Sequence, residues 1–187
     1  MLNLDEIRLM QETPLATVSV IKGDGITSSP MPLFISECGK YLLGHISNNN
    51  PLVKGLNDKT CYVQFLGANG YISPRWHEEQ RVPTWNYVYS QLKVEAKVIN
   101  DWDEKMTLMS ITSAHFDKHW SFEAFINEDE TLAAQMMNAI TVIRFEIIDC
   151  QSKFKLSQKR SREYHQAISR ELKKESNLGL ANLMTDS

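Results

Sequence analysis

The densest chemistry in this 187-residue chain is the stretch YISPRWH at residues 71–77, followed by PTWNY at residues 83–87. Trp76 and Trp85, two tyrosines, Ser73, Arg75, Thr84 and Asn86 fall within 17 residues. Flat apolar rings beside several hydrogen-bonding groups are what a planar heteroaromatic ligand needs. The same rings would also cap the end of a barrel, so both readings stand. None of these side chains is an obvious general acid or base, and the cluster speaks for binding before it speaks for catalysis.

Other constellations carry less. His115 and His119 are four apart on a predicted helix and Glu123 continues that face, but the pattern lacks the glutamate of a zincin helix and no metal site is assigned. There is no G-x-S-x-G, so hydrolase chemistry is not indicated. His45, next to Gly44, reads either as a site residue or as a satisfied barrel histidine. The basic residues Lys153, Lys155, Lys159, Arg160, Arg162, Arg170, Lys173 and Lys174 form a stripe that suits phosphate contacts, which makes DNA a candidate partner. A solvated helix explains the same stripe, and no helix-turn-helix or zinc-finger pattern accompanies it.

Composition bounds the rest. With 42% hydrophobic and 23% charged residues and a formal net charge of -3, the chain is neither disordered, nor collagen-like, nor basic throughout. Charge is uneven: residues 1–93 sum to 0, 94–152 to -7 and 153–187 to +4. The three cysteines are widely spaced and odd in number, which indicates no disulfide framework and a reducing cytoplasm as the expected home. The acidic start MLNLDEIRLMQETP does not read as a secretory signal, and no apolar run is long enough to span a bilayer.

The elements that must position the cluster follow from periodicity. A short amphipathic helix at residues 4–10 precedes the strand LATVSVIK, a Gly-Asp-Gly hairpin turn at 23–25, and a partner strand at 28–36. Pro30 and Pro32 restrict that partner to an edge or irregular position. YLLGHIS reads as a strand, and SNNNP at 47–51 as the start of a short helix ending near Gly55. TCYVQFLG and YISP read as strand, interruption, strand. Long alternations at 85–99 and in TVIRFEII predict strands with one buried and one wet face. Helices are predicted over 101–119 and 129–138, each opening on acidic residues, and over SREYHQAISRELKKE. Six or seven largely antiparallel strands and four helices favour a mainly β fold with peripheral helices (α+β), a small barrel, over a parallel doubly wound sheet. Residues 1–152 are expected to form the barrel domain, with the basic segment and C-terminal helix of 153–187 packed on it.

Four strings in this order, GHISNNNP, GANGYISPRW, VPTWNY and KFKLSQKRS, resemble the PaiB-type proteins, a family described as FMN-binding negative transcriptional regulators. The similarity runs from about residue 15 to residue 161. It implies an FMN-binding split β-barrel of the pyridoxamine-phosphate-oxidase type, a homodimer with flavin at the interface, and a flavin-dependent redox or flavin-sensing role. An FMN-dependent oxidoreductase, a PaiB-type transcriptional regulator and a binding module with a decayed flavin site are the alternatives. The residues carried over as FMN-binding are His45, Ser47, Asn48, Asn50 and Lys54 around the first motif. Ser73, Arg75, Trp76, Thr84, Trp85 and Asn86 follow from the second and third, and Lys155, Ser157 and Gln158 from the fourth. In these barrels the first motif meets the flavin phosphate, where free N–H groups at a helix start favour an anion. The family pattern there reads GHLARANP, so Asn48 stands at an arginine position. Lys54, Arg75 or a basic residue of KFKLSQKR is the expected replacement for that charge. His77 stands where tyrosine is usual, and Lys159 where asparagine is usual.

Overall fold

The computed structural model describes residues 2–56 and 59–185, with Lys22 described by its backbone alone. Six strands, β1 (Leu15–Lys22), β2 (Gly25–Ile35), β3 (Tyr41–Ser47), β4 (Lys59–Ile72), β5 (Thr84–Ile99) and β6 (Ile140–Lys155), close a barrel in the order β1-β2-β3-β6-β5-β4. β1 pairs antiparallel with β2 and β4, and β3 with β2 and β6. The mainly β barrel with peripheral helices expected from periodicity is the fold. No helix among the described residues is long and apolar enough to cross a membrane.

The chain groups into two compact units, one of Met1–Phe65 with Gln91–Gln151 and one of Leu66–Ser90 with Ser152–Ser187. In the first, the alternating patterns produce the core: Ala16 and Val18 of β1, Leu92, Val94 and Ala96 of β5, and Ile143 and Phe145 of β6 are all fully buried. Their neighbours Lys93, Glu95 and Lys97 face water. The alternation slips at the end of β5, where Val98 is half-buried and Ile99 buried. Ile99 joins Val142 in a second apolar cluster with Met109, Phe122 and Met137. These three come from α2 (Trp102–Phe116), α3 (Phe122–Glu128) and α4 (Glu130–Asn138). Asp101, Ser121 and Asp129 cap the three N-termini, each accepting a backbone N–H three residues on.

The β1–β2 turn places Gly23 at φ 62°, a left-handed conformation that glycine adopts without a Cβ clash. Pro30 and Pro32 lie opposite Thr17 and Leu15 of β1, before β2 meets β3 at Leu33–Ile35, so that stretch of β2 is locally an edge. At Gly44 of β3 a Cβ would lie 2.6 Å from the Pro32 carbonyl oxygen and 2.5 Å from Leu33 Cδ2. The close approach of β2 to β3 there requires glycine.

Two expectations need correction. Residues 59–72 form one continuous strand, running through Gly67 and Gly70, because each glycine keeps extended backbone and neither breaks the ladder. The helices are also more numerous than four: besides α1 (Leu4–Glu12), α2, α4 and α5 (Arg162–Lys174), the described residues include α3 and α6 (Leu178–Leu183). Both additions span two turns or fewer, too short for a hydrophobic period to register.

Candidate functional site

The second unit gathers the second, third and fourth motifs. β5 opens with Thr84, Trp85 and Asn86, and the end of β6 supplies Lys155. The Lys155 ammonium donates to Thr84 Oγ1 and to the Trp85 carbonyl, both at 2.8 Å, and lies 6.0 Å from the Tyr87 ring centre. Just beyond it the chain reverses. Ser157 has φ 62°, and the Arg160 N–H donates to the Ser157 carbonyl at 2.9 Å. A serine in the left-handed region persists where its surroundings over-determine it. Here its hydroxyl donates to Asn86 Oδ1 at 3.1 Å, and its carbonyl lies 3.2 Å from Nε2 of the buried His165. Asn86 is fully buried and donates from Nδ2 to Met184 Sδ at 3.3 Å. Gln158, though exposed, is tied to its own strand end, accepting from the Leu156 N–H at 3.2 Å and donating to the Phe154 carbonyl.

The second motif forms its own tight turn. Buried Ser73 accepts from the Arg75 N–H at 3.2 Å and from Arg75 Nε at 3.4 Å, and the Trp76 N–H donates to the Ser73 carbonyl. Trp85 stays half exposed, with Nε1 donating to Asn69 Oδ1 at 3.1 Å and its ring edge-on to Tyr71. Farther along, Glu79 accepts from the Ser161 hydroxyl. That bond, with the nearby Arg160 charge as a lesser cause, holds the Glu79 carboxyl below its usual range. Buried Gln80 accepts from the Tyr164 hydroxyl at 2.7 Å.

These bonds leave a cleft of about 390 Å³, lined by Gln80, residues 82–84, Lys155 and residues 157–160. The size lies within the usual range for small-molecule sites. Val82 and Pro83 supply apolar wall, Lys155, Lys159 and Arg160 supply positive charge, and among the described residues no carboxylate lines it. No local pattern marks Gln80 and His165, whose burial involves contacts with partners 84 and 19 positions away respectively. The basic string KFKLSQKR was the signal for Lys159 and Arg160.

His45, Ser47, Asn48, Asn50 and Lys54 belong to the first unit. His45 sits on β3 opposite Val142, and burial holds its imidazole below the usual value. Asn50 caps the 3₁₀ helix Pro51–Gly55 by accepting from the Leu52 N–H, and it donates to Ser29 Oγ at 2.8 Å. Asn48 spends its side chain on the end of α4 and the start of β6: Nδ2 donates to the Asn138 carbonyl at 2.6 Å, and Oδ1 accepts from Thr141 Oγ1 at 2.7 Å. The amides do likewise, Asn48 N–H to Ala139, Asn50 N–H to Ser47 and Val53 N–H to Asn50, all to carbonyl oxygens. Asn49 N–H goes to Ser47 Oγ. The N–H groups expected to be free at this turn are bonded within the protein. Lys54 is exposed. On α2, His115 stacks on Phe34 at 4.6 Å.

Comparison with known proteins follows the same lines. The Bacillus subtilis (strain 168) protein named "Protease synthase and sporulation protein PAI 2" is 26% identical over 192 residues, covering 98% of this chain and 92% of that protein. Among solved structures, the FAD and heme binding protein from Mycobacterium smegmatis aligns with a TM-score of 0.62 and 19% identity, over 80% of this chain and 69% of that one. The flavocytochrome Anf3 from Azotobacter vinelandii aligns with a TM-score of 0.64 and 16% identity, over 82% and 67%. Both likenesses show the split-barrel fold. A family model described as "Putative FMN-binding domain" matches residues 3–149, and the chain belongs to that family of FMN-binding domains.

Proposed function

We propose that the protein binds FMN and uses it in a redox or flavin-sensing role, as a homodimer. The observation that carries the reading is the cleft of the second unit: apolar wall, neutral hydrogen-bonding side chains and three cations, with no lining carboxylate among the described residues. That donor set fits a ligand with a polar-edged planar ring and a dianionic phosphate. FMN, when bound, supplies reversible hydride acceptance, and the protein's part is orientation and electrostatics. Lys155, pinned by Thr84 and the Trp85 carbonyl, holds a fixed positive charge at the cleft. Ser157, Asn86 and Gln158 keep the cleft wall in one conformation through the bonds described above. Exposed Trp85 and Tyr71 offer ring faces for stacking. Leu15, Ile21 and Ile26, exposed on the first hairpin, give the dimer reading apolar surface of its own.

The test is spectroscopic. Protein purified under mild conditions, or mixed with FMN at micromolar concentration, is expected to show the flavin absorption bands and quenched flavin fluorescence. A colourless protein that leaves added FMN fluorescence unchanged overturns the reading and favours a decayed site. Light scattering at the same concentration tests the dimer, for which a monomer mass is the contrary result.

A second reading has its own support. The relatedness to the Bacillus protein runs along nearly the whole chain, and Lys153, Arg162, Arg170, Lys173 and Lys174 are exposed, as a phosphate-contacting surface requires. Under this reading the protein is a PaiB-type transcriptional regulator that contacts DNA. Gel shifts at fixed salt decide it: promoter-selective retention is expected, and equal retention of unrelated DNA counts against it.

A further inference from the structure

We propose that the outer face of the barrel in the first unit carries a site for a free α-amino acid, held between Glu95 and Lys97 of β5, Arg144 and Glu146 of β6, and Tyr41 of β3. The site lies wholly within that unit and is independent of the FMN reading, which concerns the cleft of the second.

The charges on this face have an order. β5 and β6 are neighbours in the barrel, and side chains two apart on a strand point to the same side. Val94, Ala96 and Phe145 fill the core, so Glu95, Lys97, Arg144 and Glu146 point outward. Each strand thereby offers one cation and one anion two residues apart. Opposite charges facing each other across adjacent strands attract, yet these four do not close on one another. Among the described residues Glu95, Lys97 and Glu146 form no ion pair. With Tyr41 and Ala96 the four line a cavity of about 210 Å³ instead.

α2 and Tyr41 keep the arrangement open. The Arg144 guanidinium is drawn to α2, where Nη1 donates to the Glu104 carboxylate at 2.9 Å, and it lies over the Tyr41 ring, 5.5 Å from its centre. Tyr41 is itself fixed opposite Glu146 in the β3–β6 register. Held from both sides, Arg144 does not swing onto Glu95 or Glu146. A guanidinium has five N–H donors, and the bond to Glu104 leaves others for a ligand.

A ligand completes this set if it brings both signs itself. Its carboxylate would accept from Arg144 and Lys97, and its ammonium would donate to Glu95 and Glu146. A free α-amino acid carries those two groups on one carbon, whereas a simple anion or cation satisfies only half of the site. The volume lies below the roughly 300–1,000 Å³ usual for small-molecule sites, which sets the ligand at amino-acid and not nucleotide size. With Arg144 and Glu104 neutralising each other, two carboxylates and one ammonium remain. That excess of negative charge favours a basic side chain over an acidic one.

Isothermal titration calorimetry on the full chain decides the matter, with glycine, L-lysine, L-glutamate, acetate and methylammonium as probes. Saturable binding of glycine and L-lysine is expected, with a dissociation constant on the order of a millimolar because the contacts are partly exposed. L-glutamate should bind more weakly than L-lysine. Acetate and methylammonium, each lacking one of the two groups, should bind about fivefold more weakly than glycine. Lys97→Met and Glu146→Gln should each weaken glycine by about fivefold, while Lys118→Met, which removes an exposed charge between α2 and α3, should leave it unchanged. Equal binding of glycine, acetate and methylammonium, or an equal loss in Lys118→Met, means charge attraction without a site and overturns the proposal. So does L-glutamate binding as tightly as L-lysine, or no saturable binding of either glycine or L-lysine at tens of millimolar. Lys97 and Glu146 are both exposed, and should one variant lose its native circular dichroism the other still decides.

Discussion

Tyr164 donates its hydroxyl to Gln80 Oε1 at 2.7 Å, joining two buried side chains that lie 84 residues apart in sequence. Burial also pushes the Tyr164 phenol above its usual pKa, so the hydroxyl stays protonated and donating. Gln80 uses its other end on the Val82 carbonyl, which makes it the link between α5 and the cleft-lining loop. Tyr164→Phe is expected to leave a buried acceptor unpaired and cost about 1–3 kcal/mol. A urea unfolding midpoint lowered accordingly is the expected result, and an unchanged midpoint contradicts it.

Gly44→Ala tests the strand contact in the first unit. The added methyl would meet the Pro32 carbonyl oxygen at 2.6 Å, a backbone atom that cannot swing aside. Relief requires β2 and β3 to part, and overpacking of this kind costs about 1–3 kcal/mol or more. Thermal unfolding measured by circular dichroism should show a clear drop in midpoint, whereas Gly39→Ala, with open space for its methyl but φ 69°, should cost only the smaller backbone strain.

Asn48 is a joint in this structure. Asn48→Ala removes its bonds to Asn138 and Thr141 and is expected to lower stability by about 1 kcal/mol, while shifting FMN affinity less than Lys159→Ala does. Asn48→Arg, which installs the arginine of the pattern the first motif resembles, should lose the same two bonds without improving FMN affinity. Denaturant melts paired with flavin titrations check both halves, and a large gain in FMN affinity for the arginine variant would go against the structural role.

The pH dependence of stability carries the signature of His45. Burial depresses its folded-state pKa below the ordinary 6.5, so between those two values the unfolded chain binds a proton that the folded chain does not. Stability contributed by the neutral ring is present above pH 6.5 and lost as pH falls through the folded value. Unfolding free energies measured at pH 7.5 and pH 5.5 should decline toward acid. In His45→Gln that decline should be shallower, and an identical slope would count against it.

Much of the barrel was legible because it obeys a period. The alternation of β5 from Gln91 to Lys97 predicts the buried face residue for residue, and YLLGHIS coincides with β3. The glycines at 67 and 70 look like punctuation in one dimension and predict a break in what is the single strand β4. A Cβ at Gly70 would lie 2.7 Å from Asn177 Nδ2, a distant contact that no local pattern reports. At the cleft, the third and fourth motifs carry lining residues, but not in a way that tells their tasks. Asn86 and Ser157 are recognisable as motif members, yet only the folded chain reveals that they brace each other. Asn48 was legible as a missing charge, and its engagement with α4 was not, since residues 48 and 138 meet only when β3 and β6 are paired.

The left-handed backbone at Ser157 bears on how fast a ligand is captured. Its hydroxyl and carbonyl are both committed within the protein, so the turn that follows has its shape before anything arrives, and little ordering remains for the encounter complex to perform. Capture should then proceed in a single kinetic step, linear in ligand concentration, with the distinction between ligands residing almost wholly in how slowly each departs.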